Sequence, residues 1–312
     1  MPGLHRDQLP DILARIDHFN HVAGPLPGLL TEERRRCWAE QIISSLRRIS
    51  YIQELVHKPV APARCDPHGP IFDPIRGALH FLRSGELDEA VWLTFIQTHF
   101  GKNEADGWKL AGNVYGSFGD GPAWTFAEYG NTPHAFEAML ANNADALADR
   151  ATAGAFSNHR KYESRKPGKI SEVFRTFYAW HTAQGSFEDK IRSIHSQVGQ
   201  EPGAAFDAFY NSMVDVSRFG GGRLGRFDLL TMIGKLQLAP ITPPSVYLIG
   251  ASGPLRGAKL LFFGDPEYRI SDRALQGRVD ALDQHLHVGK QVIEDSICNW
   301  QKSPDAYVYF RG

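Results

Sequence analysis

The residues best suited to chemistry lie in the last third of the chain, and a glycine-rich turn is the first of them. Gly250-Ala-Ser-Gly-Pro-Leu-Arg-Gly257 holds three glycines in eight residues, between the apolar runs Val246–Ile249 and Ala258–Phe262. Glycine tolerates positive φ and lets other backbone come close. Pro254 suits the first turn of a following helix, where a missing N–H costs nothing. The free N–H groups of such a helix start form a natural seat for a phosphate. Gly250, Ser252 and Gly253 would supply that backbone, with Arg256 and Lys259 beside it. The pattern predicts two helices joined by a hairpin, a device that grips a DNA backbone without reading bases. The alternative is an interhelical turn whose glycines serve packing.

Two acidic stretches accompany it. In GGGRLGR (220–226) no strand precedes the glycines, so a dinucleotide site does not follow. Arg223 and Arg226 can each grip a phosphate in bidentate fashion. Asp228 comes next, either as a helix cap or as a carboxylate beside that phosphate, acting as a base or stabilising positive charge at a sugar carbon. In GKQVIEDSICNWQKSP (289–304), Val292, Ile293, Ile297 and Trp300 point inward. Gln291, Asp295, Cys298 and Lys302 fall on a neighbouring face at helical spacing. They read as a polar pocket wall, with Glu294 and Trp300 at its edge, or else as an ordinary exposed face. Asp272, in RISDRALQGR, reads as a helix N-cap. The aromatic segment 174–191 offers Phe174, Phe177, Trp180 and the polar His181. Such rings stack on an extruded base or fill a helical core.

Other chemistries find no support. The spacings of a zinc protease, a nucleophile elbow, a P-loop and a CxxC pair are absent, and His99, His181, His285 and His287 lack partners at ligand spacing. We therefore expect no metal and no cofactor. Three cysteines, far apart, suggest no disulfide framework. No apolar run reaches the length of a membrane span, and the first residues carry no secretory pattern, so the expected setting is cytoplasmic. The net charge of −1 excludes binding to nucleic acid by bulk charge. Any DNA contact must come from local patches.

Helical periodicity dominates the elements that would position these residues. It predicts helices over 8–22, 31–56, 73–85, 86–99, 104–115, 132–147, 170–184, 187–198, 204–217, 226–237, 271–286 and 289–301, beside the hairpin pair. Residues 58–72, with four prolines, form a loop. Strand patterns are nearly absent, and the class is all-α. We divide the chain into an N-terminal helix and linker (1–30), an N-terminal helical lobe (31–156) and a C-terminal helical lobe (157–312). Residues 157–169 carry five Lys or Arg against one Glu. They form either a mobile charged linker on the surface between lobes or a strip that contacts phosphates.

Taken together, THFGK (98–102), FRTFYAWH (174–181), GRFDLLTMIG (225–234), GASGPLRGAKLLF (250–262) and QVIEDSICNWQKSP (291–304) resemble the alpha-glutamyl/putrescinyl thymine pyrophosphorylase family, closest to its bacterial third clade. The likeness covers roughly residues 45–312. It implies a two-lobed, all-α fold like that of helix–hairpin–helix DNA glycosylases, with DNA carrying modified bases as the substrate. No membrane and no protein partner is implied. Two activities are implied: excision of a modified base, as in antiphage glycosylases, and displacement of pyrophosphate from a hydroxymethyluracil by an amine such as putrescine or glutamate. Excision is the first expectation and amine transfer the alternative; a non-catalytic DNA-binding module is a third. The resemblance names no catalytic residue. Asp228, Asp295 and Glu294 are nominated from residue type and position alone.

Overall fold

The computed structural model describes residues 5–219 and 223–310, the side chains of Arg223 and Leu224 apart. Sixteen α-helices form among the described residues: α1 (Leu9–Val22), α2 (Glu32–His57), α3 (Pro74–Arg83), α4 (Leu87–Phe100), α5 (Lys109–Tyr115), α6 (Phe126–Asn131), α7 (Pro133–Asn142), α8 (Ala144–Ala148), α9 (Arg150–Ala153), α10 (Pro167–Thr182), α11 (Phe187–Val198), α12 (Pro202–Ser212), α13 (Arg223–Lys235), α14 (Gly253–Phe263), α15 (Asp272–Leu286) and α16 (Lys290–Trp300). No strand forms among those residues, beyond an isolated bridge between Asn103 and Gly107. The all-α expectation holds.

Local chemistry explains many helix ends. Asp73 caps α3, accepting from the amides of Ile75 (3.1 Å) and Arg76 (3.2 Å), with Pro74 in the first turn. Gly101 ends α4 at φ 65°. Ser186 and Asp189 form a capping box on α11. For α15 the cap is Ser271, whose hydroxyl accepts from Ala274, one residue before the aspartate expected in that role.

The chain divides into two compact units. One is made of Met1–Glu54 with Pro243–Phe310, the other of Leu55–Thr242. The first thus combines the chain's beginning with its final helices, and the boundary drawn at residue 157 from the sequence falls inside the second. In the first unit, Ile16 of α1, Trp38 and Ile42 of α2, Leu261 of α14, Leu282 of α15 and Trp300 of α16 belong to one buried cluster. Gly257 brings α14 against α16, since a Cβ there would collide with the carbonyl oxygen of Ile297.

The second unit is built around α4, which is buried on every side from Glu89 to Phe100. A helix apolar all round belongs at a centre, not on a face. Aromatic rings surround it. Phe95 stacks on Phe177 at 4.0 Å between centroids, and Phe136 on Phe174 at 4.7 Å. Each ring buried this way contributes about 2 kcal/mol or more from area alone.

Candidate functional site

The hairpin expected at Gly250–Gly257 is not formed. Residues 240–252 are irregular, and Gly253, Pro254, Arg256 and Gly257 all lie inside the single helix α14. The cause sits just upstream. Pro244 disfavours the helical region for Pro243, and Pro243 does so for Thr242, so the chain enters this stretch extended. Side chains of α15 then catch the next amides: Asp280 accepts from Val246 (2.9 Å) and Gln276 from Leu248 (2.8 Å). The glycines serve packing. Gly257 faces α16, and a Cβ on Gly253 would come 2.8 Å from the sulfur of Cys298. Ser252 makes no side-chain cap bond, and Arg256 pairs loosely with Glu267 at 3.4 Å, both largely exposed. Lys259 is half-buried.

The stacking role for the 174–181 rings is likewise overturned. Phe177 is fully buried, and one face of its ring is covered by Phe95. Trp180 is buried and donates to Ser212 at 2.9 Å. His181 is fully buried with its Nε2 2.7 Å from Asp88, and burial holds its pKa below the ordinary value, against the opposing pull of Asp88. Trp300 is also core. Ring size decided these placements, because a large apolar side chain on a central helix gains most by leaving water.

The two aspartates have different surroundings. In the first unit, Asp295 of α16 faces α2. Its Oδ2 accepts from Ser45 (2.6 Å) and from Arg48, and its Oδ1 from Asn299 (2.9 Å). Lys302 donates to Asn299 Oδ1 at 2.9 Å. Nearby, the hydroxyls of Ser44 and Tyr307 lie 2.6 Å apart, and Gln41 donates to the carbonyl of Val308 at 2.8 Å. Asp295, Asn299 and Lys302 are thus linked along α16, a set that differs from the expected Gln291, Asp295, Cys298 and Lys302 in holding Asn299. Glu294 is buried beside it, and Gln291 is half-buried near the helix start.

In the second unit, Asp228 lies in α13. Its Oδ2 accepts from Arg160 Nη2 at 2.8 Å, and the carboxylate side chain stays 36% exposed. Arg160 itself is buried, and its Nε donates to the carbonyl of Thr98 at 2.8 Å. The 157–160 loop seats on Gly101, where a Cβ would run into the Ser157 side chain. One arginine therefore joins the THFGK segment to the GRFDLLTMIG segment. Asp228 is no cap, since α13 begins five residues earlier. Arg226 lays its guanidinium over Tyr210 at 4.1 Å and donates to that residue's carbonyl at 3.1 Å. The Gly220–Gly222 run lies outside the described residues, as does the Arg223 side chain.

Two buried titratable groups lie on α4, His99, which the sequence offered only as an unpartnered histidine, and Glu89, which it did not single out. His99 is buried among Phe95, Phe100 and Phe156. Burial, helped by Arg160 and Arg218, lowers its pKa to about 3. Glu89 is buried and accepts from Tyr115 (2.7 Å) and the Phe126 amide (2.5 Å), and burial raises its pKa to about 7. A pocket of about 450 Å3 also opens in this unit, edged by Arg64, Lys102, Trp108 and Lys109. It contains none of the residues nominated from the sequence. Among the described residues no three His, Cys, Asp or Glu side chains gather as a metal site would require, and no helix is long and apolar enough to cross a membrane.

The family model described as alpha-glutamyl/putrescinyl thymine pyrophosphorylase clade 3 matches residues 33–312, and the chain belongs to that family. Comparisons with curated proteins and with solved structures returned no match.

Proposed function

We propose that this protein acts on a thymine derivative in DNA, replacing a pyrophosphate on the base's 5-methylene group with an amine. The observation that carries this reading is the family match over residues 33–312. In the reaction, the amine's lone pair forms a C–N bond to the methylene carbon. The C–O bond breaks, and its electron pair leaves with pyrophosphate. The new ammonium then gives up a proton.

Asp228 is the residue we assign to that proton. Among the described residues its side-chain partner is Arg160 alone, through Oδ2, which leaves Oδ1 open toward a ligand. Arg160, anchored on Thr98, fixes the carboxylate's direction. Asp295 suits the role less, because both its oxygens already accept from donors. Arg226 is the proposed holder of the departing pyrophosphate, where positive charge lowers the barrier by stabilising the leaving group.

Base excision is the competing chemistry, with Asp228 stabilising an oxocarbenium-like sugar. The test is nucleoside mass spectrometry of DNA bearing the pyrophosphorylated base, incubated with and without putrescine or glutamate. We expect an amine-bearing nucleoside and released pyrophosphate, only when amine is present. Abasic sites without amine would replace this reading by excision. Unchanged DNA in both arms would reduce the protein to a binding module.

A further inference from the structure

We propose that Tyr162, flanked by Lys161, Arg165 and Lys166, is a platform on which a base of a single-stranded or opened DNA segment stacks while its phosphates meet the cations. This deepens the reading of DNA as substrate and rests on it.

Exposure is the first argument. Most large aromatics of the second unit are buried, yet Tyr162 is 80% exposed. Among the described residues no other ring packs on it, and its neighbour's ammonium, Lys161 Nζ, lies 5.0 Å from the centroid.

Charge is the second. Of the five cations in 157–169, Arg160 is paired with Asp228 and Lys169 with Glu172 at 3.0 Å. The single acid, Glu163, is paired with Arg218 at 2.6 Å. Among the described residues Lys161 and Lys166 thus form no ion pair with a carboxylate, whereas Arg165 feels the charge of Asp149 and donates to the carbonyl of Gly154 at 3.3 Å. Positive charge around an exposed ring matches a polyanion that carries stackable faces.

Pre-organisation is the third. Tyr162 stands between two pinned residues. Arg160 is fixed two positions before it by Thr98 and Asp228, and Glu163 one position after it by Arg218, whose Nη2 also reaches the Tyr162 carbonyl at 3.4 Å. The ring is presented by a braced loop, so little order is lost when a base covers it. The same brace ends on Asp228, so a strand held here runs beside the proposed proton acceptor. A mobile linker, the other sequence reading of 157–169, has no reason to bury an arginine.

The test is fluorescence anisotropy of the full chain on labelled thymine-rich single-stranded and duplex oligonucleotides, over a salt series. Tyr162→Ala should weaken single-strand binding about tenfold with little change in salt slope, and Tyr162→Phe should bind like the parent. The Lys161→Ala/Lys166→Ala variant should lower the slope by about 0.7 for each lysine removed. Unchanged affinity in Tyr162→Ala would overturn the proposal, and so would losses confined to the lysine variant. Tyr162-dependent binding without base chemistry would leave the platform standing and sink the reaction. Base chemistry indifferent to Tyr162 would do the reverse.

Discussion

Asp295 accepts from Ser45, Arg48 and Asn299, whereas among the described residues the side chain of Asp228 accepts from Arg160 alone. Both are aspartates on helices, partly exposed, each facing an arginine from a distant part of the chain. The difference lies in what remains open. A carboxylate has about four acceptor positions. Three donors on Asp295 tie α2 to α16 and leave little for a ligand. One donor on Asp228 aims it and leaves an oxygen to spare. The first arrangement holds a unit together; the second suits proton transfer.

The sharpest way to break this contrast is Asp228→Asn. Asparagine keeps an acceptor for Arg160 but cannot take up a proton. We expect turnover to fall by about 10²–10⁴-fold, with DNA affinity nearly unchanged. The melting curve should fall modestly, because buried Arg160 loses a charged partner but keeps an acceptor on the asparagine and its bond to the Thr98 carbonyl. Full activity in this variant would remove Asp228 from the reaction. Asp295→Ala should behave in the opposite way. It strands Arg48, Ser45 and Asn299 and should cost about 2 kcal/mol of stability, read as a shifted urea midpoint. Residual activity per folded molecule should stay near that of the parent.

Gly257→Ala examines the same unit from the packing side. Its Cβ would meet the Ile297 carbonyl, so α14 must move off α16 at about 1–3 kcal/mol. If the 250–257 stretch gripped DNA, this variant would lose affinity beyond what its lost stability explains. We expect it to lose stability alone.

What could be read from the sequence follows how local its causes are. Helix α16, with Asp295 and Lys302 on one face, repeats at helical spacing, so a window of a dozen residues reveals it, though spacing alone picks Cys298 where Asn299 makes the contacts. The α3 cap and the Gly101 terminus are equally local. Ser45 and Arg48 stand some 250 positions from Asp295, and no short window joins them. Arg160 was visible as charge but not as a buried link, because burial depends on Gly101 and Thr98 far upstream. The hairpin reading failed on distant contacts. Gly-rich spacing favours a turn between helices, but the amides of Val246 and Leu248 go to Asp280 and Gln276 of α15, some thirty positions away, in place of a first helix. The 174–181 aromatics were ambiguous by type, and only the position of α4 among them settles their burial.

The smallest effect expected is in the unaltered protein, where two buried groups on α4 oppose each other. Glu89 has its pKa raised by burial from 4.5 to about 7. Between those values the folded state holds a proton that the unfolded state has lost, so stability falls as pH rises. His99 has its pKa lowered by burial from 6.5 to about 3. Between those values the unfolded state holds the extra proton, so stability rises with pH. Each slope is at most about 1.4 kcal/mol per pH unit. Where the windows overlap, from about 4.5 to about 6.5, the two cancel. Urea midpoints of Glu89→Gln should therefore climb with pH across this range, and those of His99→Phe should decline, against a flatter parent. Parallel profiles in all three proteins would show that these side chains do not change their proton content on folding, and the buried, aromatic setting beside Arg160 would lose its electrostatic meaning.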